Sequence, residues 1–406
     1  MRPLPGTRPR VIVAPDKFKG SLTGPQAADA LAAGVRQHWP DSQVTMLPLA
    51  DGGEGTVDAA LAAGAEERCA RVVGPLGGEV WARWALFRTP AGESGTAVIE
   101  SAQASGLAQV QPSPDSARLT HSYGCGQLIL EALHVHATDI VLGLGGSAMT
   151  DGGSGALRAL GLKILAADGS PVPFGGAGLL SAHQLDATDL DRRLQSVRLR
   201  LAVDVQNPLY GPFGAAHVFG AQKGADPECR DELDQALRRW ARLLERKAPD
   251  LRFIGPGSGA AGGFPSGFLA LSPARLERGF DLISDLIGFE EHVTSADVLI
   301  VGEGSMDSQS LQGKAPLAAA VRAAARGVPV VAVAGQLSLT AGQLTSVGVH
   351  AAASLAECAP SVEAAQSEAK YYAGLATAAA LRRLTEGQAN PLREHQETDR
   401  FPSHVP

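Results

Sequence analysis

Unbroken apolar runs of strand length, each followed by a polar loop and a helical spacing, organise the two ends of the chain. Val11-Ile-Val-Ala14 is one such run and Val44 to Leu47 is a second. After the first, Thr23 can cap a helix whose buried stripe is Ala27, Ala30, Leu31 and Val35; after the second, Val57 to Ala63 is helical. A continuous apolar run is what burial on both faces of a strand produces, and the repeated order strand, loop, helix predicts a parallel sheet. The texture returns at Asp297-Val-Leu-Ile-Val301, followed by a helix over Pro316 to Arg326, a strand over Pro329 to Ala334 and a closing helix over Val362 to Leu384. Ligands of such sheets collect at the carboxyl ends of the strands.

The middle of the chain reads differently. Val72 to Phe87 alternates around Gly77-Gly78, as the two arms of a hairpin do. Thr96 to Glu100, Asp139 to Leu142 and Leu199 to Val203 add strands, while Tyr123 to Leu133 and Asp231 to Lys247 are helical. Antiparallel strands inside an α/β chain predict a second α/β domain with a mixed sheet. The expected division is one discontinuous domain, 10–72 with 291–384, interrupted by an inserted domain, 73–290. The polar, Pro-containing ends, 1–9 and 385–406, are expected to be disordered tails.

Composition narrows the classes. The chain has 406 residues, 45% hydrophobic and 19% charged, enough apolar material for two cores. The formal net charge of −7 provides no basic field for nucleic acid. No apolar run approaches the roughly 20 residues of a membrane span, and the N-terminus lacks a signal-peptide core. Cys69, Cys125, Cys229 and Cys358 are scattered with no C-x-x-C pair, which argues against a zinc site or disulfide framework and predicts a cytoplasmic protein.

The 48 glycines fall in discrete loops. The densest, Gly143 to Gly155, lies between the Asp139 strand and an Ala- and Leu-rich helix. Backbone N–H groups of Gly145, Gly146 and Ser147 can approach an anion there, and Asp151 could hold Mg²⁺ against phosphate oxygens. The other strand-end loops carry Lys17, Lys19 and Ser21; Asp51 and Glu54; Asp204 and Asn207; and Gly302, Glu303, Asp307 and Lys314. Phosphoryl transfer needs this mixture: carboxylates for a metal ion and for the attacking hydroxyl's proton, and lysines for the charge on the transferred group. Asp51 and Glu54, one turn apart at an expected helix start, suit a metal ion. Asp204, delivered by a buried strand into a loop stiffened by Pro208, is the candidate base. Gly257 to Gly262 fits G-x-G-x-x-G and brings Gly259 into the loop set, but it follows no strand and no ribose-binding acid stands about 20 residues on.

The segments APDKFKGSLT (Ala14 to Thr23), PLADGGEGTVDA (Pro48 to Ala59), AVIESAQASGL (Ala97 to Leu107), YGCGQLI (Tyr123 to Ile129), GLGGSAMTDGGSGALRALG (Gly143 to Gly161), DVQNPLYGPFGAAHVFGAQKGA (Asp204 to Ala225), GSGAAGG (Gly257 to Gly263) and GEGSMDSQSLQGKAP (Gly302 to Pro316) together resemble the bacterial glycerate kinase family. The resemblance implies a flavodoxin-like (Rossmann-like) parallel-sheet domain with a large inserted second α/β domain. It implies ATP- and Mg²⁺-dependent phosphorylation of D-glycerate to 2-phospho-D-glycerate in organic-acid catabolism; the sequence leaves monomer and homodimer both open. Ser305-Met306 stands where Arg-Ile is common in that family, removing a cation beside Glu303 and Asp307, and Met149-Thr150 replaces a frequent Thr-Asn. Two other classes share parts of this pattern. An NAD-linked hydroxy-acid oxidoreductase requires a strand-borne dinucleotide loop. A non-catalytic sugar-acid sensor would have lost the carboxylates that remain here.

Overall fold

The computed structural model describes residues 8–89, 95–248 and 252–386; most of both expected tails lies outside them. The strands, in order, are β1 (Arg10–Pro15), β2 (Gln43–Met46), β3 (Glu66–Val73), β4 (Glu79–Arg88), β5 (Gly95–Glu100), β6 (Ala137–Gly143), β7 (Lys163–Leu165), β8 (Gln184–Asp186), β9 (Arg198–Val203), β10 (Arg275–Arg278), β11 (Val298–Met306), β12 (Val330–Leu337) and β13 (Val349–Ser354). The chain divides into two compact units, Met1–Ala50 with Ser284–Pro406, and Asp51–Ile283. The first boundary lies ahead of the expected position 72, because β3 pairs along its length with β4 and so belongs to the second unit's sheet.

The first unit holds one parallel sheet in the order β2-β1-β11-β12-β13. Numbered within the unit this is 2-1-3-4-5, the flavodoxin-like order, and it reverses between β1 and β11. Val11, Val13, Val298, Ile300, Val331 and Val333 are fully buried, as their unbroken apolar runs require. Thr23 starts the helix Gly24–His38 with a capping box closed by Gln26, which satisfies two otherwise unpaired N–H groups. The closing helix is broken at Glu368 into Val362–Ser367 and Ala369–Thr385. The Ala-rich strand β13 has no counterpart in the sequence reading.

The second unit holds a mixed sheet in the order β10-β9-β6-β5-β4-β3. Its β10, β9, β6 and β5 run parallel, and β4 and β3 add the antiparallel hairpin expected from the Gly77-Gly78 turn. The helix Pro227–Glu245, capped by the Asp226 side chain on the Cys229 N–H, buries Trp240 and Leu237 in the same core as Phe264 and Phe268. Parallel pairing of β5, β6 and β9 aligns their carboxyl ends, and the loops that leave those ends carry the candidate chemistry. All four cysteines are free, and no helix among the described residues is long and apolar enough to cross a membrane.

Candidate active site

In the second unit, Asp204 follows the end of β9 and its Oδ1 accepts a hydrogen bond from the Gly279 N–H at 3.0 Å. A Cβ on Gly279 would lie 1.7 Å from the Asp51 carbonyl oxygen and 2.9 Å from Asp204 Oδ2. Residue 279 is therefore a backbone clamp between the two acids, and only a residue without a side chain fits. Asp204 as a residue is exposed, with its carboxyl turned against the Gly279 backbone. Crowding by protein and then the negative charge of Asp51 push its pKa up to about 6, against the pull of the Gly279 N–H and of Arg278. Nothing in the sequence around Gly279 marks this role.

The Asp51 loop is braced by the Gly-rich loop after β6. Gly145 N–H donates to the Gly52 carbonyl at 3.2 Å. Side chains at 145 or 146 would strike Gly53 Cα at 2.5 Å or Glu54 Oε1 at 2.9 Å. Asp51 and Glu54 do not sit on a helical turn as expected; both precede the helix Thr56–Ala62. That helix is started by Glu100, a buried acid whose Oε1 accepts from Gly55 N–H at 3.0 Å and Val57 N–H at 2.7 Å. Burial pushes the Glu100 pKa up. The signal for it, one acid ending the apolar run Ala97-Val-Ile-Glu100, was present but carried no role in the sequence reading.

Asp151 sits in the Gly-rich loop after β6. It is fully buried, and Oδ2 accepts from Ser122 N–H at 2.9 Å, Ser122 Oγ at 2.8 Å and Gly155 N–H at 3.0 Å, while Oδ1 accepts from Gly153 N–H at 3.1 Å. Three donors crowd Oδ2 and one reaches Oδ1, so the carboxylate ties Ser122 to the start of the short helix Ser154–Ala159. Ser147 is buried and bridges to Gly106. Lys223, given no role by the sequence reading, donates from Nζ to the Met149 carbonyl at 2.6 Å; burial pulls its pKa down to about 8 against the attraction of Asp151. Asn207 donates from its side chain to the Phe213 carbonyl at 2.9 Å and accepts at its own carbonyl from Gly259 N–H at 2.9 Å, so these two brace each other. The G-x-G-x-x-G stretch follows a 3-10 turn, Arg252–Ile254, and bends through left-handed Ala261, Gly262 and Gly263, which is not the strand-to-helix turn a dinucleotide needs.

In the first unit, β1 ends against Gly302, which is buried in the sheet between Pro15 and Val333 and is not a loop residue as expected. Strand β11 runs on to Met306, so Glu303 is the first residue beyond its pairing with β1. Glu303 is 5% exposed; Lys314 Nζ lies 3.6 Å from its Oε2, and Oε1 has no hydrogen-bond partner among the described residues. Burial pushes the Glu303 pKa up against the pull of Ser310 and Lys314. Gly304 lets the backbone of Lys19 pass, since a Cβ there would lie 3.0 Å from Lys19 N. Lys19 itself is exposed, and Lys17 N–H donates to Asp16 Oδ1 at 2.6 Å. Ser21 Oγ donates to the Phe18 carbonyl at 3.1 Å, and Asp307 Oδ1 accepts from Gln309 N–H at 2.8 Å; both close turns. No group of three or more His, Cys, Asp or Glu placed to hold a metal ion occurs among the described residues.

A flavodoxin-like parallel unit and a mixed-sheet unit, each with acids and glycines at its strand ends, define a two-unit α/β protein. The glycerate kinase family model matches residues 11–385, and the chain belongs to that family. It is 41% identical over 345 residues to glycerate 2-kinase of Escherichia coli (strain K12), covering 84% of this chain and 89% of that protein. Glycerate kinase of Bacillus subtilis (strain 168) is 39% identical, with 89% and 94% covered. A crystal structure described as glycerate kinase 2 of Salmonella typhimurium LT2 superposes with a TM-score of 0.79 at 37% identity, covering 94% of this chain and 99% of that one.

Proposed function

We propose that this chain transfers the γ-phosphoryl group of ATP to the C2 hydroxyl of D-glycerate, giving 2-phospho-D-glycerate and ADP, in cytoplasmic organic-acid catabolism. Family membership across nearly the whole chain supports the reaction class. The observation that carries the residue assignment is the clamped Asp204 carboxylate, whose pKa of about 6 leaves it ionised at neutral pH yet more basic than an ordinary Asp. The C2 hydroxyl is a poor nucleophile, so Asp204 takes its proton as the oxygen attacks phosphorus and the bond to ADP breaks. The Gly279 N–H fixes one carboxylate oxygen, leaving Oδ2 for the hydroxyl.

Lys19 and Lys314 neutralise charge on the phosphates or on the glycerate carboxylate. Asp51 places a negative charge against Asp204 that outweighs the pull of Arg278, an arrangement that a divalent ion relieves. Asp51 and Glu54 would hold Mg²⁺ together with the triphosphate oxygens, which suits an ion needing only one or two protein carboxylates. Mg²⁺, when bound, spreads the charge developing on those oxygens. The test is ADP release from ATP and D-glycerate, with the product offered to enolase with and without phosphoglycerate mutase. Consumption by enolase alone identifies the 2-phosphate. Absence of ADP, or consumption only with mutase, overturns the reading.

A further inference from the structure

The two oxygens of Glu303 are in different situations, and the difference points to a ligand. Oε2 faces Lys314 at 3.6 Å, longer than a charge-assisted hydrogen bond; Oε1 is buried with no hydrogen-bond partner among the described residues, and the Ser310 hydroxyl, which also pulls on this carboxyl, donates to the Ser305 carbonyl at 3.3 Å. Buried acceptors in native proteins are almost always satisfied, so an orphan one calls for a donor supplied from elsewhere. Its place in the fold says what kind. Glu303 is the first residue of β11 past the end of β1, at the point where the strand order reverses and α/β sheets take their ligands. Lys314 is the N-cap of the helix Ala315–Ala325, and no side chain caps that helix start. A lysine and an uncapped helix start favour an anion, while a carboxylate beside them favours a hydroxyl donor. One molecule bearing both groups satisfies all three.

Resting on the kinase reading above, we propose that Glu303 is the hydroxyl-recognising residue of the first unit. Its Oε1 accepts a hydrogen bond from a hydroxyl of the bound hydroxy acid or of the nucleotide ribose, and Lys314 holds the anionic end of the same molecule. Lys314 is more than a third exposed and loosely paired, so it can turn from Glu303 to the ligand as the hydroxyl arrives. The source of the hydroxyl is an experimental matter, since glycerate and ribose offer the same chemistry.

The test is a cycle between hydroxyl and side chain. Binding of D-glycerate is compared by calorimetry with D-lactate, which lacks the C3 hydroxyl, and with 3-hydroxypropanoate, which lacks the C2 hydroxyl. Binding of ATP is compared with its 2′-deoxy and 3′-deoxy forms. Each pair is measured with wild type and Glu303→Met; Met matches Glu in length, removes the orphan acceptor, and leaves Lys314 free to be solvated. Glu303→Gln, which keeps the polar shape, provides a second folded variant. Wild type should lose about tenfold to a hundredfold in affinity for one deletion, the worth of a hydrogen bond to a charged group. Glu303→Met should show less than threefold discrimination at that hydroxyl and unchanged ratios elsewhere. Which pair collapses identifies the source. Ratios equal in wild type and both variants, in an enzyme that does phosphorylate glycerate, would mean that Oε1 holds an ordered water only, and the proposal falls alone. A wild type that phosphorylates no glycerate overturns both readings.

Discussion

Adding a single methyl group at Gly279 separates a built acid site from two acids that merely lie near each other. The new Cβ would stand 1.7 Å from the Asp51 carbonyl oxygen, and real Cβ contacts stay above 3.0 Å. Both partners are backbone, so no rotamer change relieves the overlap and one strand-end segment must retreat. A shift of roughly 1 Å in a catalytic group costs about 10²-fold in rate. The same shift stretches the 3.0 Å hydrogen bond to Asp204, a charge-assisted bond worth about 1.5–3 kcal/mol. Gly279→Ala should therefore lower kcat/KM for D-glycerate by about 10²-fold, with overpacking strain of about 1–3 kcal/mol seen as a lower Tm. Gly78→Ala, in the same unit with no atom within 4 Å of the added Cβ, should leave both unchanged and serves as the control. The assay is steady-state ADP release across pH, paired with thermal unfolding. A Gly279→Ala enzyme within threefold of wild type, with the same pH profile, would refute the clamp.

Asp51→Asn removes the charge that helps raise Asp204, so the acid limb of kcat/KM should move from about 6 toward the ordinary Asp value of 3.8; an unmoved limb would separate the two acids. Asp204→Asn should cut kcat by about 10²–10⁴-fold while glycerate and ATP still bind by calorimetry. It should also raise Tm above pH 6. Between 3.8 and about 6 the folded protein holds the Asp204 proton more tightly than the unfolded chain, so wild-type stability falls as pH rises through that window, and the gain on substitution should vanish below it. A lower Tm for Asp204→Asn at pH 8 would contradict this sign. Asp151→Ala strands the Ser122, Gly153 and Gly155 donors and should cost about 3 kcal/mol or more in urea unfolding, with the Mg²⁺ dependence of the folded enzyme unchanged. Lys19→Met and Lys314→Met should each lower kcat/KM by about tenfold to a thousandfold, and losses below twofold for both would make them surface residues.

Local signals carried much of the fold. The runs at Val11 and Val298 read as strands buried on both faces, and Thr23 ahead of the Ala27, Ala30, Leu31 and Val35 stripe marked its helix. Strand β13 was illegible because Val349-His-Ala-Ala-Ala-Ser354 is rich in a helix-favouring residue; pairing with β12 overrides that preference. Glu303 read as a loop residue because β11 outlasts its neighbour β1, and strand length beyond a partner leaves no mark in composition. The clamp at Gly279 depends on a contact 75 residues away in sequence from Asp204, so no window of chain could contain it.

The two Asp-Gly-Gly-x-Gly loops show why the site was harder to read than the fold. Both do the same local thing: Asp51 Oδ1 accepts from Gly53 N–H at 3.1 Å, and Asp151 Oδ1 accepts from Gly153 N–H at 3.1 Å. The motif therefore dictates a turn, and it does so twice. What each acid is for depends on its other oxygen. Asp151 meets the N–H and hydroxyl of Ser122, 29 residues upstream, and is consumed as a scaffold. Asp51 meets no such partner among the described residues and instead presses its charge against Asp204, helping to raise the pKa of its neighbour. A carboxylate in a Gly-rich loop is thus available for chemistry in proportion to the donors the rest of the fold withholds from it, and that quantity is tertiary. By this criterion Asp51, Asp204 and Glu303 stay more available than Asp151, from the most suggestive stretch of the chain, which meets four protein donors.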